Sequence, residues 1–351
     1  MIKFSFIETK EQLLELVKNL TKETELAIDL ECENNLHHFG TFISLIQISN
    51  KSQNWVIDVL KLKEIQPLLK ILADPNIKKI IHDVSFDLRI LNHQFDCQLK
   101  NIFDTQLAAS FIGKEKIGLG SLLEEYFQIK KEKKFQRVDW TKRPLSRAML
   151  EYAVKDTAYL IKLKEVLLAE LGDRSEWIFQ ECRHLEEMDF SYKEQDYIDL
   201  SGAKSLSPKH LGILRALFDE RKKIAKEVDR PVFMIFSNKQ LMAFSVNSPY
   251  SVNSWKNLRS VHPIIKRRAE RLYQIVKNAK PEVYQRTKKK RFTIKQFTEV
   301  NELAERRNKL AEKLQLKRNL LLNNQQMRDI VSTGKLTTLR NWQKRLVEKI
   351  I

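Results

Sequence analysis

The sequence is poor in cysteine, has no long apolar run, and carries few acids over its last 151 residues. Its three cysteines, Cys32, Cys97 and Cys182, fit no metal-ligand spacing and form no disulfide framework. They read as small buried thiols of a reducing cytoplasm. No stretch approaches the ~20 apolar residues of a transmembrane helix. The opening "MIKFSFIETKEQLLELV" lacks the charged-then-apolar plan of a signal peptide, and no lipidation signal is present. The expected setting is therefore cytoplasmic, with no membrane partner. No heptad seam is present, so the expected state is a monomer.

Acid is scarce only in one half. Residues 1–200 hold 28 Lys+Arg and 33 Asp+Glu, a net charge of −5, whereas residues 201–351 hold 35 and 12, a net charge of +23. An acidic half joined to a strongly basic one suggests two jobs. The basic half suits a polyanion such as nucleic acid.

The first half alternates strands and helices. "ELAIDLEC" (25–32), "FISLIQIS" (42–49) and "NWVIDV" (54–59) are apolar or β-branched runs of strand length. A helix is expected at 64–73, a short strand at 78–82, a helix at 85–95 with Ser85 as a possible cap, and a strand at 101–105. One long helix is expected over 145–171, and a charged transition over 173–197. This order predicts an α/β domain with a mixed central sheet.

The second half reads as helices only, with Ser207-Pro208 as an N-cap and first helical residue. At an offset of 86 residues, Arg221, Lys223, Ile224, Ala225, Asn238 and Gln240 recur as Arg307, Lys309, Leu310, Ala311, Asn324 and Gln326. The recurrence implies a duplicated helical module, with "QRTKKKR" (285–291) as the joint. The expected domains are 1–195, 205–282 and 290–351.

Three acidic clusters carry the chemistry. Asp29 and Glu31 are spaced i, i+2 on a strand, so both leave one face. Asp87 follows the strand at 78–82, and Asp156 lies one helical turn after Tyr152. Oxygen-only ligands point to hard cations such as Mg²⁺ or Mn²⁺. Two such ions can clamp an in-line displacement at phosphorus, and Tyr152 could orient the attacking water. Other acids read as structural: Asp104 as an N-cap, Asp83 as solvent-facing or a turn cap, Asp58 as a strand-end acid, and Asp139 as a partner of Arg143 or a turn cap. Trp255 and Trp342 read as buried packing rather than base-stacking platforms.

"IDLECENNLHHFGTFISLIQIS", "KKIIHDVSFDLRIL" and "RVDWTKRPLSRAMLEYAVKDTAYL" resemble the three exonuclease motifs of the DEDD superfamily, in its tyrosine-bearing branch. His82 followed by Asp87, and the "DW…RPL" approach to the third motif, resemble the ribonuclease D family closely. "LSPKHLGILRALFDERKKIAKEVDRPVFMIFSNKQLMAFS" (206–245) resembles the HRDC helical module, and 290–351 resembles a second, divergent copy. The resemblance implies a ribonuclease H-like exonuclease domain followed by all-α HRDC-type modules. It implies two divalent ions on Asp29, Glu31, Asp87 and Asp156, and a water-positioning role for Tyr152. It also implies 3′-to-5′ removal of nucleotides from RNA with a free 3′ end, tRNA precursors among them. "NNLHHFG" after the first motif departs from relatives and is expected to line the path of that end, with His37 and His38 as ordinary loop histidines. Two alternatives stay open on the residues alone: an exonuclease acting on DNA, and a non-catalytic RNA-binding adaptor with structural acids.

Overall fold

Six runs rich in Ile, Val and Phe form one mixed sheet: β1 (Ser5–Ile7), β2 (Glu25–Asn34), β3 (Thr41–Ser49), β4 (Asn54–Asp58), β5 (Lys78–Ile81) and β6 (Ile102–Asp104). Their order is β1-β4-β3-β2-β5-β6. β1 runs parallel to β4, β2 to β5, and β5 to β6, while β3 and β4 pair antiparallel. The computed structural model describes residues 2–131, 134–191, 193–285 and 292–351.

Helices cover the sheet. α1 (Lys10–Leu20) starts at Thr9, whose hydroxyl accepts from Gln12 N in a capping box, and buries Leu13, Leu16 and Leu20 on one face. α2 (Gln66–Ala73) and α3 (Ser85–Phe95) add Leu68, Leu72, Leu88 and Leu91 to the same core. α4 (Thr105–Ile112) and α5 (Leu119–Phe127) pack in a second core with Ala27, Ile80 and Phe103 of the sheet.

Three local expectations are corrected. The long helix over 145–171 is two helices, α6 (Arg147–Lys155) and α7 (Leu160–Leu171). At the break, Asp156 N and Thr157 N bond the carbonyls three residues back, Ala153 O and Val154 O, which tightens and ends the turn. The stretch read as a charged transition contains α8 (Ser175–Glu187), which buries Ile178, Glu181 and Cys182. Ser85 is not the cap of α3; Val84 takes that position and its N–H bonds the Asp104 carboxylate.

The chain divides into two compact units. One comprises Met1–Cys32, Ile43–Tyr192 and Lys290–Ile351; the other comprises Glu33–Phe42 and Lys193–Lys289. In the second unit α9 (Pro208–Glu227) begins after Ser207, which accepts from His210 N, as expected for a Ser-Pro start. α9, α10 (Asn238–Val246) and α11 (Ala269–Asn278) enclose Leu214, Leu217, Ile224, Trp255 and Leu272. Gly212 lets the chain cross α9 closely: a Cβ there would lie 1.9 Å from Lys280 O.

The 86-residue offset recurs in the helices. α12 (Ile294–Lys313) and α13 (Asn324–Thr333) stand 86 residues after α9 and α10. Arg221 Nη1 donates to Phe236 O at 3.1 Å, and Arg307 Nη1 donates to Leu322 O at 3.0 Å. The capping boxes Ser237–Gln240 and Asn323–Gln326 also correspond. Among the described residues, the second copy, with α14 (Asn341–Val347), does not keep a core of its own. Its Trp342 packs on Phe111 and Trp177 at 5.2 and 5.0 Å, in the core that holds α4 and α7. Apart from Gln285, the basic joint at 285–291 lies outside the described residues.

Candidate active site

β2 sorts its residues by the two-residue period. Leu26, Ile28 and Leu30 enter one core, and Ala27 enters the core on the opposite face. Asp29 and Glu31 therefore project on the Ala27 side. There they meet Asp156, at the C-terminal cap of α6. Carboxylate oxygens of Asp29, Glu31 and Asp156 lie within 4.8 Å of one another. Asp87, buried in the first turn of α3, adds its charge to Asp29 and Glu31 but stands outside this close trio.

The electrostatics follow from crowding. Burial, then the charges of Asp156, Asp87 and Glu31, hold Asp29 well above the usual carboxylate range. Burial and Asp156 do the same to Glu31. Burial raises Asp87 strongly, helped by Asp83 and Asp104. Burial also raises Asp156, against the opposing pull of Lys131. Like charges this close cannot all ionise without a cation. The all-oxygen donor set fits a hard divalent ion.

Lys131 is a site residue that sequence reasoning missed. Its ammonium bonds Asp156 Oδ1 and sits 4.7 Å over the Tyr152 ring. Burial opposes its charge, but Asp156, with Tyr152 and Asp29, holds its pKa above the ordinary value. Nothing in the run "KKEKK" marks this lysine out. Tyr152 itself is buried, with Phe135 at 5.4 Å and Trp140 stacked at 6.1 Å. Burial raises its phenol pKa, so it stays protonated at neutral pH.

The neighbouring acids are structural. Asp104 caps α4, as expected, by accepting from Gln106 N and Leu107 N at 2.8 and 3.1 Å. It also accepts from Asp83 N and Val84 N, both at 3.1 Å, and so fixes the start of the helix that carries Asp87. Asp139 caps a turn through Thr141 N at 3.0 Å. The Arg143 guanidinium grips Asp58 instead of Asp139, at 2.6 and 2.8 Å. Trp255 and Trp342 are buried, as expected. Within the second unit His38 Nδ1 lies 2.6 Å from Asp229 Oδ2, and Phe39 N donates to Asp229 Oδ1 at 3.1 Å, so this loop is tied to the turn that follows α9.

Residues 4–172 match a family described as 3′–5′ exonuclease, and residues 210–276 match the HRDC domain. Ribonuclease D of Haemophilus influenzae is 28% identical over 282 residues, covering 78% of this chain and 70% of that protein. The chain thus carries a 3′–5′ exonuclease domain followed by an HRDC domain.

Protein RRP6-like 2 of Arabidopsis thaliana is 29% identical over 294 residues, covering 78% of this chain but only 33% of that protein. The Escherichia coli RNase D structure superposes with a TM-score of 0.75 at 22% identity, covering 99% of both chains, and shows the shared fold. The first unit thus holds a ribonuclease H-like exonuclease domain with a mixed sheet, together with residues 290–351, and the second holds an HRDC domain. Exonucleases of this family depend on divalent metal, in keeping with the crowded carboxylates of this domain. Among the described residues, no helix of the exonuclease or of the HRDC domain is long and apolar enough to cross a membrane.

Proposed function

We propose that the protein is a 3′–5′ exoribonuclease that hydrolyses RNA from a free 3′ end and releases 5′-mononucleotides, acting as a cytoplasmic monomer. The observation that carries this reading is the trio Asp29, Glu31 and Asp156, of which Asp156 and Glu31 act on Tyr152, inside the exonuclease domain. RNA is favoured over DNA because the relatives include proteins named ribonuclease D. Precursor tRNA is the proposed class of substrate.

Asp29, Glu31, Asp87 and Asp156 would hold two divalent ions, Mg²⁺ or Mn²⁺. When bound, such ions acidify water and neutralise charge on the phosphate. Tyr152 remains a phenol at neutral pH and can hydrogen-bond the attacking water and set its direction. Lys131 supplies a fixed positive charge at the Asp156 edge of the site. The basic HRDC domain and its second copy would hold the RNA through phosphates, with little base information.

Digestion of matched 5′-labelled RNA and DNA, with and without Mg²⁺ or Mn²⁺, tests the reading. A metal-dependent ladder that shortens from the 3′ end of RNA is expected, and Asp29→Asn should lose it while still binding RNA. Full activity in a folded Asp29→Asn protein would sink the proposal. Equal or faster digestion of DNA would move the substrate to DNA.

A further inference from the structure

We propose that Asp58 and Arg143 are positioning residues that, through Trp140, hold the Tyr152 phenol in register with the carboxylate trio. This rests on the role of Tyr152 proposed above. Tyr152 has no covalent restraint on its ring beyond its place on α6, so the orientation of the phenol depends on what packs against it. The Trp140 ring lies against it at 6.1 Å and 29°, and Trp140 is only 3% exposed.

Trp140 is held through its backbone rather than its indole. Its carbonyl accepts from Arg143 Nη1 at 2.7 Å and from Ser44 Oγ at 2.5 Å. Its indole N–H has no partner among the described residues. Arg143 is itself fixed by a two-pronged grip on Asp58, at 2.6 and 2.8 Å, and reaches Ser44 Oγ at 3.3 Å. Asp58 is 1% exposed at the end of β4, and its Oδ1 also accepts from Lys61 N at 3.1 Å. The guanidinium thus ties the end of one sheet strand to the carbonyl of the residue stacked on Tyr152. A planar fork is what this task needs: it bonds a carboxylate with one edge and a carbonyl with another.

A purely structural ion pair would need no aromatic ring aimed at the site, so the two roles separate by experiment. Metal-dependent cleavage of a 5′-labelled RNA oligonucleotide is measured for the wild type, Arg143→Gln, Trp140→Leu and Tyr152→Phe. The two doubles that combine Tyr152→Phe with each of the others are included. Mn²⁺ affinity and the thermal midpoint are recorded for each. Arg143→Gln and Trp140→Leu should each lower kcat about tenfold or more, the scale of a misplaced group. KM and Mn²⁺ affinity should stay within about twofold. The loss should vanish when Tyr152 is already Phe, because the phenol being positioned is gone. Arg143→Lys, which keeps charge but not the fork, should fall between wild type and Arg143→Gln.

Equal losses with and without the phenol, or a loss confined to KM or Mn²⁺ affinity, would overturn the proposal. If Arg143→Gln does not fold, Ser44→Ala removes one donor to the same carbonyl. It should show a smaller kcat loss that again disappears in the Tyr152→Phe background, and its failure to do so overturns the proposal equally. A wild-type protein that cleaves nothing would overturn the functional assignment itself, whereas an active wild type with additive losses would overturn only the positioning role.

Discussion

The two copies of the helical repeat share a skeleton and differ in what their outer faces meet. α9 and α12 are each twenty residues long, and each buries an arginine that donates to a carbonyl fifteen residues on. The first copy closes around its own core, with Trp255 fully buried inside it. The second copy opens that core to the exonuclease domain. Leu316, Ile330, Leu339 and Trp342 join residues of α4, α7 and α8 in one cluster. Polar ties follow the same route. Glu181 Oε1 accepts from Arg340 Nε at 2.6 Å and Trp342 Nε1 at 2.8 Å. Arg174 donates to Phe111 O and Leu314 O, both at 2.8 Å. A repeat can therefore keep its internal hydrogen bonds and lose its independence.

The hardest way to break this comparison is to truncate its two buried tryptophans. Trp342→Ala should destabilise the exonuclease unit by about 3–5 kcal/mol, the usual range for a buried Trp. Trp255→Ala should cost a similar amount in the HRDC unit alone. Calorimetry should show the lower-melting transition carrying the nuclease activity in the first variant and not in the second. A Trp342→Ala protein with an unchanged exonuclease transition would mean that the second copy is independent after all.

Divalent metal should sharpen the same contrast. The carboxylate trio lies in the exonuclease unit, so Mn²⁺ should raise that transition and leave the HRDC one in place. At a hundredfold excess over Kd the gain is about 2.7 kcal/mol. Asp29→Asn should largely remove it; equal stabilisation of both proteins would move the ions away from β2. The pH dependence has a definite sign. Asp29 and Glu31 have folded pKa values well above their ordinary ones, so the folded state keeps protons that the unfolded state has lost. Without metal, the exonuclease unit should lose stability as pH rises from the ordinary carboxylate range through those raised values. Chelator-treated protein scanned by melting against pH checks this, and added Mn²⁺ should flatten the slope.

The smallest expected effect concerns the polar anchor. Glu181→Gln keeps an acceptor for the Trp342 indole but loses the charge that Arg340 grips. It should lower the exonuclease transition by about 1–2 kcal/mol, with no shift in the HRDC one. A shift in both would show that the anchor is not specific to the second copy.

The candidate site was legible where its geometry is local. Asp29 and Glu31 share a face because a strand has a period of two, and Tyr152 and Asp156 share one because a helix brings i and i+4 together. The Asp104 cap was legible for the same reason. Lys131 was not: its partner Asp156 is 25 residues away, and one lysine in a basic run looks like the next. The Asp58–Arg143 pair spans 85 residues, so the nearby Asp139 was the natural partner to name from sequence. The break at Asp156 was hidden because the apolar period continues through it, although the turn there tightens.

By itself, the sequence determined the residue types, their local faces and the existence of a duplicated module, since strand and helix periods act within a few residues. Only the tertiary structure decided that β2 and the end of α6 bring three carboxylates together, that Arg143 reaches Asp58, and that the second repeat merges with the exonuclease core. Sheet order and shared burial set those meetings, and both arise between segments far apart in the chain.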